Sequence, residues 1–581
     1  MLTRLDKRYH NRPMVTGWTA QQEWFREARF GLFIHFGLYS LLARNSEWVM
    51  RNERIPRDVY ARLACRFRAP GFSAAAWVAA VSQAGARYMV VTAKHLDGFC
   101  LWDSALTDYK ITNTPFGRDL IGELAEACHR NGMRLVLYYS IPDWHHPAYP
   151  HGRHCMDWPV KRPGDRPDAA VYLAYMEGQI RELLTNYGRI DGIWWDGGVS
   201  PAFGKWTGKK LVGLMRRFQP QAVMNNRAGF PGDFFTPERC LPAARETTGG
   251  RYFEACDSLG SRSWGFVRDE IYYSVERTLG AMIQAFAAGG NYLLNAGPDG
   301  EGRIPRPCRE RLRRIGDWLR LNGEAVFGTQ PCPTPIGYWR ADSVEPAGYV
   351  TRNNQMLFGI LKRWPDMDSV VLLGLKTIPR SGMLLGHPSA RLAFSRLKHG
   401  IQVSGLPACG RNGQPSVLKL NFSGEPFIDR ATIQAATPAV LDVVPGRTLV
   451  MGAGQARVSG GGGAPPKLKF LSRTDTCFGW FRVNHCVEWD LNVTAPGKFK
   501  VIVETGCPRS NAGSEFKVIV DNRCFTCKVP PTEDFQDFQA QFLGTVFMKK
   551  GKTLAVFLPT RKLGHGFGDF HRVILKPVRK K

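Results

Sequence analysis

The chain has 581 residues, 44% of them hydrophobic and 12% aromatic, with 78 Lys and Arg against 50 Asp and Glu for a formal net charge of +28. That length predicts a multi-domain protein. The absence of any run of about 18 apolar residues excludes a helical membrane span. The opening Met-Leu-Thr-Arg-Leu-Asp-Lys-Arg-Tyr-His lacks the apolar core of a signal peptide. As written, the chain is therefore expected in the cytoplasm, or in an extracellular, periplasmic or lysosomal setting if a leader has been trimmed.

In chain order, residues 30–37 form an apolar run ending in His35, and Glu47 and Trp48 follow in Ser-Glu-Trp. A helical pattern over 72–84 leads to a second apolar run, 89–98, tipped by His95 and Asp97. A helix over 120–131 precedes the run 134–144, which carries Tyr139, Asp143 and Trp144; a helix over 170–187 precedes Gly-Ile-Trp-Trp-Asp-Gly-Gly at 192–198. Helix 209–218, the run 222–227 ending in Arg227, helix 275–288 and the run 291–300 complete the series. Gly85, Gly132 and Gly188 sit just past three of the helices, where a left-handed residue ends a helix.

Short strands of continuous apolar character are expected in a parallel sheet covered on both faces. Strand and helix alternating over about 300 residues predict a (β/α)8-like barrel, whose reactive side chains sit at the C-terminal ends of the strands. Asp196 ends its strand and precedes two glycines, which makes it the candidate nucleophile; a helix-capping Asp is the competing explanation. No Gly-rich phosphate loop opens the first helix, which counts against a doubly wound fold.

Taken together, these motifs resemble glycoside hydrolase family 29, the α-L-fucosidases. The resemblance rests on the stretch from Trp24 through Ser40, Ser-Glu-Trp at 46–48, Lys-His-Leu-Asp-Gly-Phe from Lys94, Trp-Trp-Asp-Gly-Gly, Asn-Asn-Arg at 225–227, Glu-Ala-Cys with Ser-Trp-Gly at 254–265, and Asn-Tyr-Leu-Leu-Asn-Ala-Gly-Pro. It implies a retaining exo-α-L-fucosidase that removes terminal fucosyl residues from glycans by double displacement. Asp196 matches the nucleophile; Glu254 is favoured as acid/base, with Glu47 as a sugar ligand or the alternative acid/base. Trp48, His35, His95, Tyr139, Trp194 and Arg227 match substrate-binding positions. Leu96 stands where the family usually has a second histidine, which points to an altered sugar preference. A related exo-glycosidase and a non-catalytic glycan-binding protein are the alternative readings.

Beyond residue 330 the texture becomes β. Short apolar runs broken by turn residues predict a β-sandwich over 331–455. A Gly-Pro linker at 459–466 then precedes an accessory β-sandwich over 467–581, read as carbohydrate-binding, with Trp480, Phe481, Phe567 and Phe570 as candidate sugar-facing aromatics. The division is thus 1–330, 331–455 and 467–581.

His145, His146, His151, His154 and Cys155 form a dense set of potential ligands, yet their spacing fits no standard zinc pattern, and no metal or cofactor is expected. The 14 cysteines are scattered, and Cys524-Phe-Thr-Cys527 sits in a β-rich stretch rather than at a helix start. The basic excess suits an anionic polysaccharide as partner. No zinc finger or nucleic-acid module appears, no membrane partner is expected, and the oligomeric state is left open.

Overall fold

A computed structural model describes residues 18–578 except 152–155, 159–161, 204–207, 240–251, 341–342, 363–367, 408–413, 436–440, 453–455, 461–468, 472–475, 479–484, 508–511, 533–536 and 562–568. The chain divides into two compact units, Met1–Thr278 with Ala285–Pro331, and Leu279–Gln284 with Cys332–Lys581. Among the described residues no helix is long and apolar enough to cross a membrane.

The first unit is built on seven parallel strands: β1 (Phe30–Ile34), β2 (Tyr88–Lys94), β3 (Arg134–Ser140), β4 (Gly192–Asp196), β5 (Val223–Met224), β6 (Glu254–Ser258) and β7 (Asn291–Ala296). They lie in the order β5-β4-β3-β2-β1-β7-β6. Every residue of β1, β2 and β7 is buried, as continuous apolar runs require when helices cover the outside and side chains fill the inside. The helices Ala74–Gln83, Leu120–Arg130, Ala169–Thr185, Lys209–Phe218 and Val275–Ala287 fall within a few residues of the predicted spans.

The ring closes irregularly. Between β5 and β6, residues 233–239 make isolated parallel bridges, Asn225 to Phe234, Phe235 to Phe253 and Glu238 to Cys256. Cys256 donates its N–H to the Pro237 carbonyl at 3.0 Å, and Arg239 donates to the Cys256 carbonyl at 2.8 Å. Pro237 has no N–H to give, so this segment takes the eighth strand's place without forming a regular ladder. Phe33, Tyr88, Val136, Tyr138, Trp194, Phe234, Cys256 and Leu293 pack into one buried cluster inside the ring, a filled core rather than a pore.

One barrel helix, Arg306–Asn322, was not among the predicted elements. Its sequence is dominated by arginines, which hide the stripe of Cys308, Leu312, Ile315 and Leu319 that it buries.

In the second unit, eight strands of one sheet, from Ile336–Arg340 to Ser416–Asn421, carry a core of Ile336, Leu357, Leu372, Val403 and Leu418. Two six-stranded sheets follow and share another core, centred on Trp489, Val501, Phe516, Phe557 and Phe570. The boundary differs from the expected one. Leu441–Val443 pairs with His485–Val493, and Leu449–Gly452 pairs with Asp569–Pro577, so the last sandwich already includes Leu441. Ser459 and Gly460 of the expected linker lie in a strand, Arg457–Gly460, and 461–466 lie outside the described residues. The aromatic assignment changes too: Phe570 is in the core, while Trp480, Phe481 and Phe567 lie outside the described residues.

Ending the chain at residue 466 strands three partnerless segments, whereas ending it at 440 removes the sandwich whole. The shorter protein is expected to stay soluble and resist limited proteolysis, and the longer one to aggregate or be trimmed back toward 440. Equal protease resistance of the two would contradict the strand pairing.

Candidate active site

The strand ends place most of the predicted residues together. Asp196 closes β4, and Gly197 and Gly198 follow with φ of 84° and 69°, a left-handed turn that a side chain would resist. A Cβ on Gly197 would also lie 2.2 Å from Pro142 Cδ. The Asp196 carboxylate is held from two sides. Tyr138 donates its hydroxyl to Oδ2 at 2.7 Å, and Arg227 donates from Nη1 to Oδ1 at 2.8 Å. Burial alone would raise this carboxyl; the Arg227 charge and the Tyr138 bond outweigh it and hold Asp196 below the usual carboxylate range. Tyr138 is pushed well above its ordinary value by burial and then by the Asp196 charge, so it stays a donor.

Arg227 does more than face Asp196. Its Nη2 donates to Glu238 Oε2 at 3.1 Å and its Nε to Thr236 Oγ1 at 2.7 Å, while its guanidinium lies 4.6 Å from the Trp194 ring centre. Glu238 comes at the end of the segment that replaces the eighth strand, and its side chain is 44% exposed. Nothing in the sequence marked it, because the Pro-Glu-Arg stretch that carries it has no apolar strand signature; only the closing of the ring brings it beside Arg227.

His35 and His95 line the opposite wall. The His35 Nδ1 is 2.7 Å from Asn295 Oδ1, and the two imidazoles lie 5.9 Å apart. Burial, reinforced by the neighbouring His95, lowers His35 to about 3, and burial lowers His95 to about 4. Both rings are therefore neutral at neutral pH, each with one donor and one acceptor nitrogen; Asn295 takes up the Nδ1 of His35, which leaves its Nε2 for a sugar hydroxyl. His95 stacks on Tyr138 at 5.5 Å, and its buried Nδ1 has no partner among the described residues. Behind it, the Lys94 ammonium meets Asp143 at 2.9 Å in an ion pair that is fully buried and anchors the turn carrying His95.

Glu47 is buried and accepts three bonds on one oxygen, from Ser263 Oγ (2.8 Å), Trp264 N (2.9 Å) and Gly265 N (3.3 Å). It thereby fixes the loop that brings Trp264 to 5.4 Å from His35, ring to ring. The neighbouring Trp48 packs edge-on against Trp144 at 5.6 Å. Leu96 is fully buried, and its carbonyl accepts from Trp144 N at 2.7 Å.

Two predicted positions fall elsewhere. Tyr139 does not face the mouth: successive strand residues alternate sides, so Tyr138 points inward and Tyr139 outward, to Gln179 on the helix Ala169–Thr185 at 2.7 Å. Glu254 is the first residue of β6, at the N-terminal end of the barrel, and fully buried. Its oxygens accept from Tyr88 Oη and, at 2.8 Å, from Trp194 Nε1, which places the carboxyl beneath the Trp194 ring rather than in the mouth. Trp194 is itself buried, forming part of the floor.

Among the described residues no group of three or more His, Cys, Asp and Glu is placed to hold a metal ion. His145 instead stacks on Tyr109 at 3.8 Å, and His151 Nδ1 accepts from Trp158 N at 3.2 Å; His154 and Cys155 lie outside the described residues.

Comparison with known proteins gives the family. The model of the family described as alpha-L-fucosidase matches residues 4–324. The chain belongs to the α-L-fucosidase family. It is a glycoside hydrolase. It is 31% identical over 380 residues to the tissue alpha-L-fucosidase of Rattus norvegicus, covering 60% of this chain and 78% of that protein. The alpha-L-fucosidase isoenzyme 1 from Paenibacillus thiaminolyticus is similar in structure, with a TM-score of 0.63, 34% identity, and coverage of 69% of this chain and 98% of that one. The alpha-L-fucosidase from Vibrio sp. strain EJY3 shares the fold over 97% of this chain and 99% of its own, with a TM-score of 0.68 at 23% identity.

Burial pushes Glu254 up to about 7, so the folded protein keeps it protonated through a range in which the unfolded chain, with a carboxyl near 4.5, has ionised. This group's contribution to stability is complete below 4.5 and is lost as pH rises through 7. The buried histidines act in the opposite sense, costing stability as pH falls below 6.5, and are common to both proteins in a comparison with Glu254→Gln. The stability of Glu254→Gln relative to the parent should therefore increase from pH 5 to pH 8 in denaturant unfolding. A difference that stays constant over that range would show that Glu254 is not held neutral.

Proposed function

We propose that this family member is a retaining exo-α-L-fucosidase acting on terminal fucosyl residues of glycans, with Asp196 as nucleophile and Glu238, rather than Glu254, as acid/base. The observation that carries the reading is the Arg227 fork. Its two terminal nitrogens hold Asp196 Oδ1 at 2.8 Å and Glu238 Oε2 at 3.1 Å, which brings two carboxyls together on one guanidinium, the pairing that a retaining mechanism calls for. Position decides over acidity here. Glu254 has the raised value expected of a general acid, but a group sealed beneath Trp194 has no path to a leaving oxygen, and geometry comes before pKa.

In the first displacement Asp196 attacks the anomeric carbon, the bond to the aglycone oxygen breaks, and Glu238 delivers a proton to that oxygen. In the second, Glu238 takes a proton from water, which opens the covalent ester and returns Asp196 as carboxylate. Arg227 and Tyr138 keep Asp196 ionised and aimed, His35 and His95 meet the ring hydroxyls, and Glu47 supports the wall that carries Trp264.

Asp196→Gly should lower turnover of an aryl fucoside by several orders of magnitude while leaving thermal unfolding nearly unchanged, since it removes the covalent intermediate rather than a core contact. Azide should partly restore it and yield a fucosyl azide of inverted configuration. Turnover near the parent level would end the assignment.

The acid/base role is separated by leaving groups. Glu238→Gln should slow fucosides with poor leaving groups on the order of a hundredfold or more while sparing activated aryl fucosides, and Glu47→Gln and Glu254→Gln should show no such dependence. A panel of aryl glycosides run in parallel reads the sugar preference that Leu96 bears on. If the leaving-group dependence tracks Glu47 or Glu254 instead, the proton donor is that residue.

A further inference from the structure

The last sandwich carries an aromatic and cationic face. Phe542 and Phe547, 61% and 59% exposed, lie on the edge strand Gln539–Met548. Phe547 pairs with Lys498, Thr545 with Lys500, and Phe542 with Ile502 on Gly497–Gly506. Lys500 and Ile502 pair onward with Lys576 and Ile574. Strand alternation fixes the directions: Phe499, Val501, Val503 and Val546 enter the core, so Lys498, Lys500, Phe542 and Phe547 share the outer face. The Lys500 ammonium lies 6.0 Å from the Phe542 ring centre.

The charge on this face is one-sided. Its acid, Glu504, is taken up by Arg572 at 2.7 Å and His571 at 2.9 Å. Lys498, Lys500 and Lys576 form no ion pair with a described residue. Two exposed phenylalanines on one face of one strand, bordered by lysines, form an apolar patch with a polar rim, the pattern of an interaction site. Phenyl faces suit the C–H faces of sugar rings, and ammonium groups with no ion pair among the described residues suit fixed carboxylates or sulfates. With the bulge between Val501 and Ile502, the two rings are about four strand steps apart, roughly 13 Å. That span calls for a chain of sugars rather than a single residue.

We propose that this face binds an anionic polysaccharide, one bearing carboxylate or sulfate groups, independently of the barrel's active site. The test is affinity electrophoresis of the full-length protein through gels containing alginate for carboxylates, carrageenan for sulfates, or neutral laminarin, with single-stranded DNA and phosphatidylserine vesicles as competing anions and thermal unfolding as the control for folding. Retardation by alginate or carrageenan is expected, and which of them acts identifies the anion. Phe542→Ala and Phe547→Ala should each weaken it by about tenfold or more, and the double variant Lys498→Ser/Lys500→Ser should weaken it and flatten its dependence on salt. The proposal is overturned if the phenylalanine variants bind as the parent does, if laminarin retards the protein equally, or if DNA or vesicles bind more tightly than both polyanions.

Discussion

Arg227 is the constraint on which the active site depends. A fixed cation among aromatic rings is costly to bury alone, and each carboxylate it meets offsets part of that cost. Asp196 satisfies one arm and Glu238 the other, with Thr236 on the remaining nitrogen. The same contacts that make the arginine tolerable bring the two acids together. The guanidinium ties both acids to one group, and Tyr138 gives Asp196 a second hold.

That arrangement explains why an irregular eighth segment suffices. Residues 233–239 are tied to β6 by alternating bonds around Pro237 rather than by a continuous ladder, yet Glu238 is located through its side chain. The opposite wall is stiffened differently. Lys94 with Asp143 behind His95, Asn295 against His35, and Glu47 across the loop at 263–265 hold the neutral imidazoles by buried polar contacts. Removing one member of such a set leaves the other unpaired in a low-dielectric interior.

Much of the barrel was legible in the sequence. Five helices and the strand ends at His35, His95, Asp196 and Arg227 follow from apolar runs and glycine stops, which are local signals. Each departure from the sequence reading has one physical origin. Tyr139 faces outward, against expectation, because a continuous apolar strand does not reveal which parity faces inward. Glu254 was favoured because a motif gives a residue's neighbours in sequence but not its height in the barrel. Glu238, the proposed acid/base, leaves no local signal because its segment pairs through non-local contacts. The helix Arg306–Asn322 was hidden by its own arginines, and the sandwich boundary was misplaced because Gly and Pro mark flexibility of the chain, not which sheet a strand joins.

The floor beneath the site has a topological consequence. Trp194, Tyr138, Phe33, Tyr88 and the buried Glu254 leave no passage through the ring, so the cavity is a dead end. A sugar ring seated against Asp196 can have its glycosidic bond pointing only back toward solvent, and an internal residue, with chain continuing on both sides, has nowhere to thread the second side. In the proposed mechanism the fucosyl unit enters first and leaves last: the aglycone must depart before water reaches the ester, and the freed sugar must exit by the same opening before another chain end can enter. A plugged barrel thus imposes both the exo mode of attack and the order of product release.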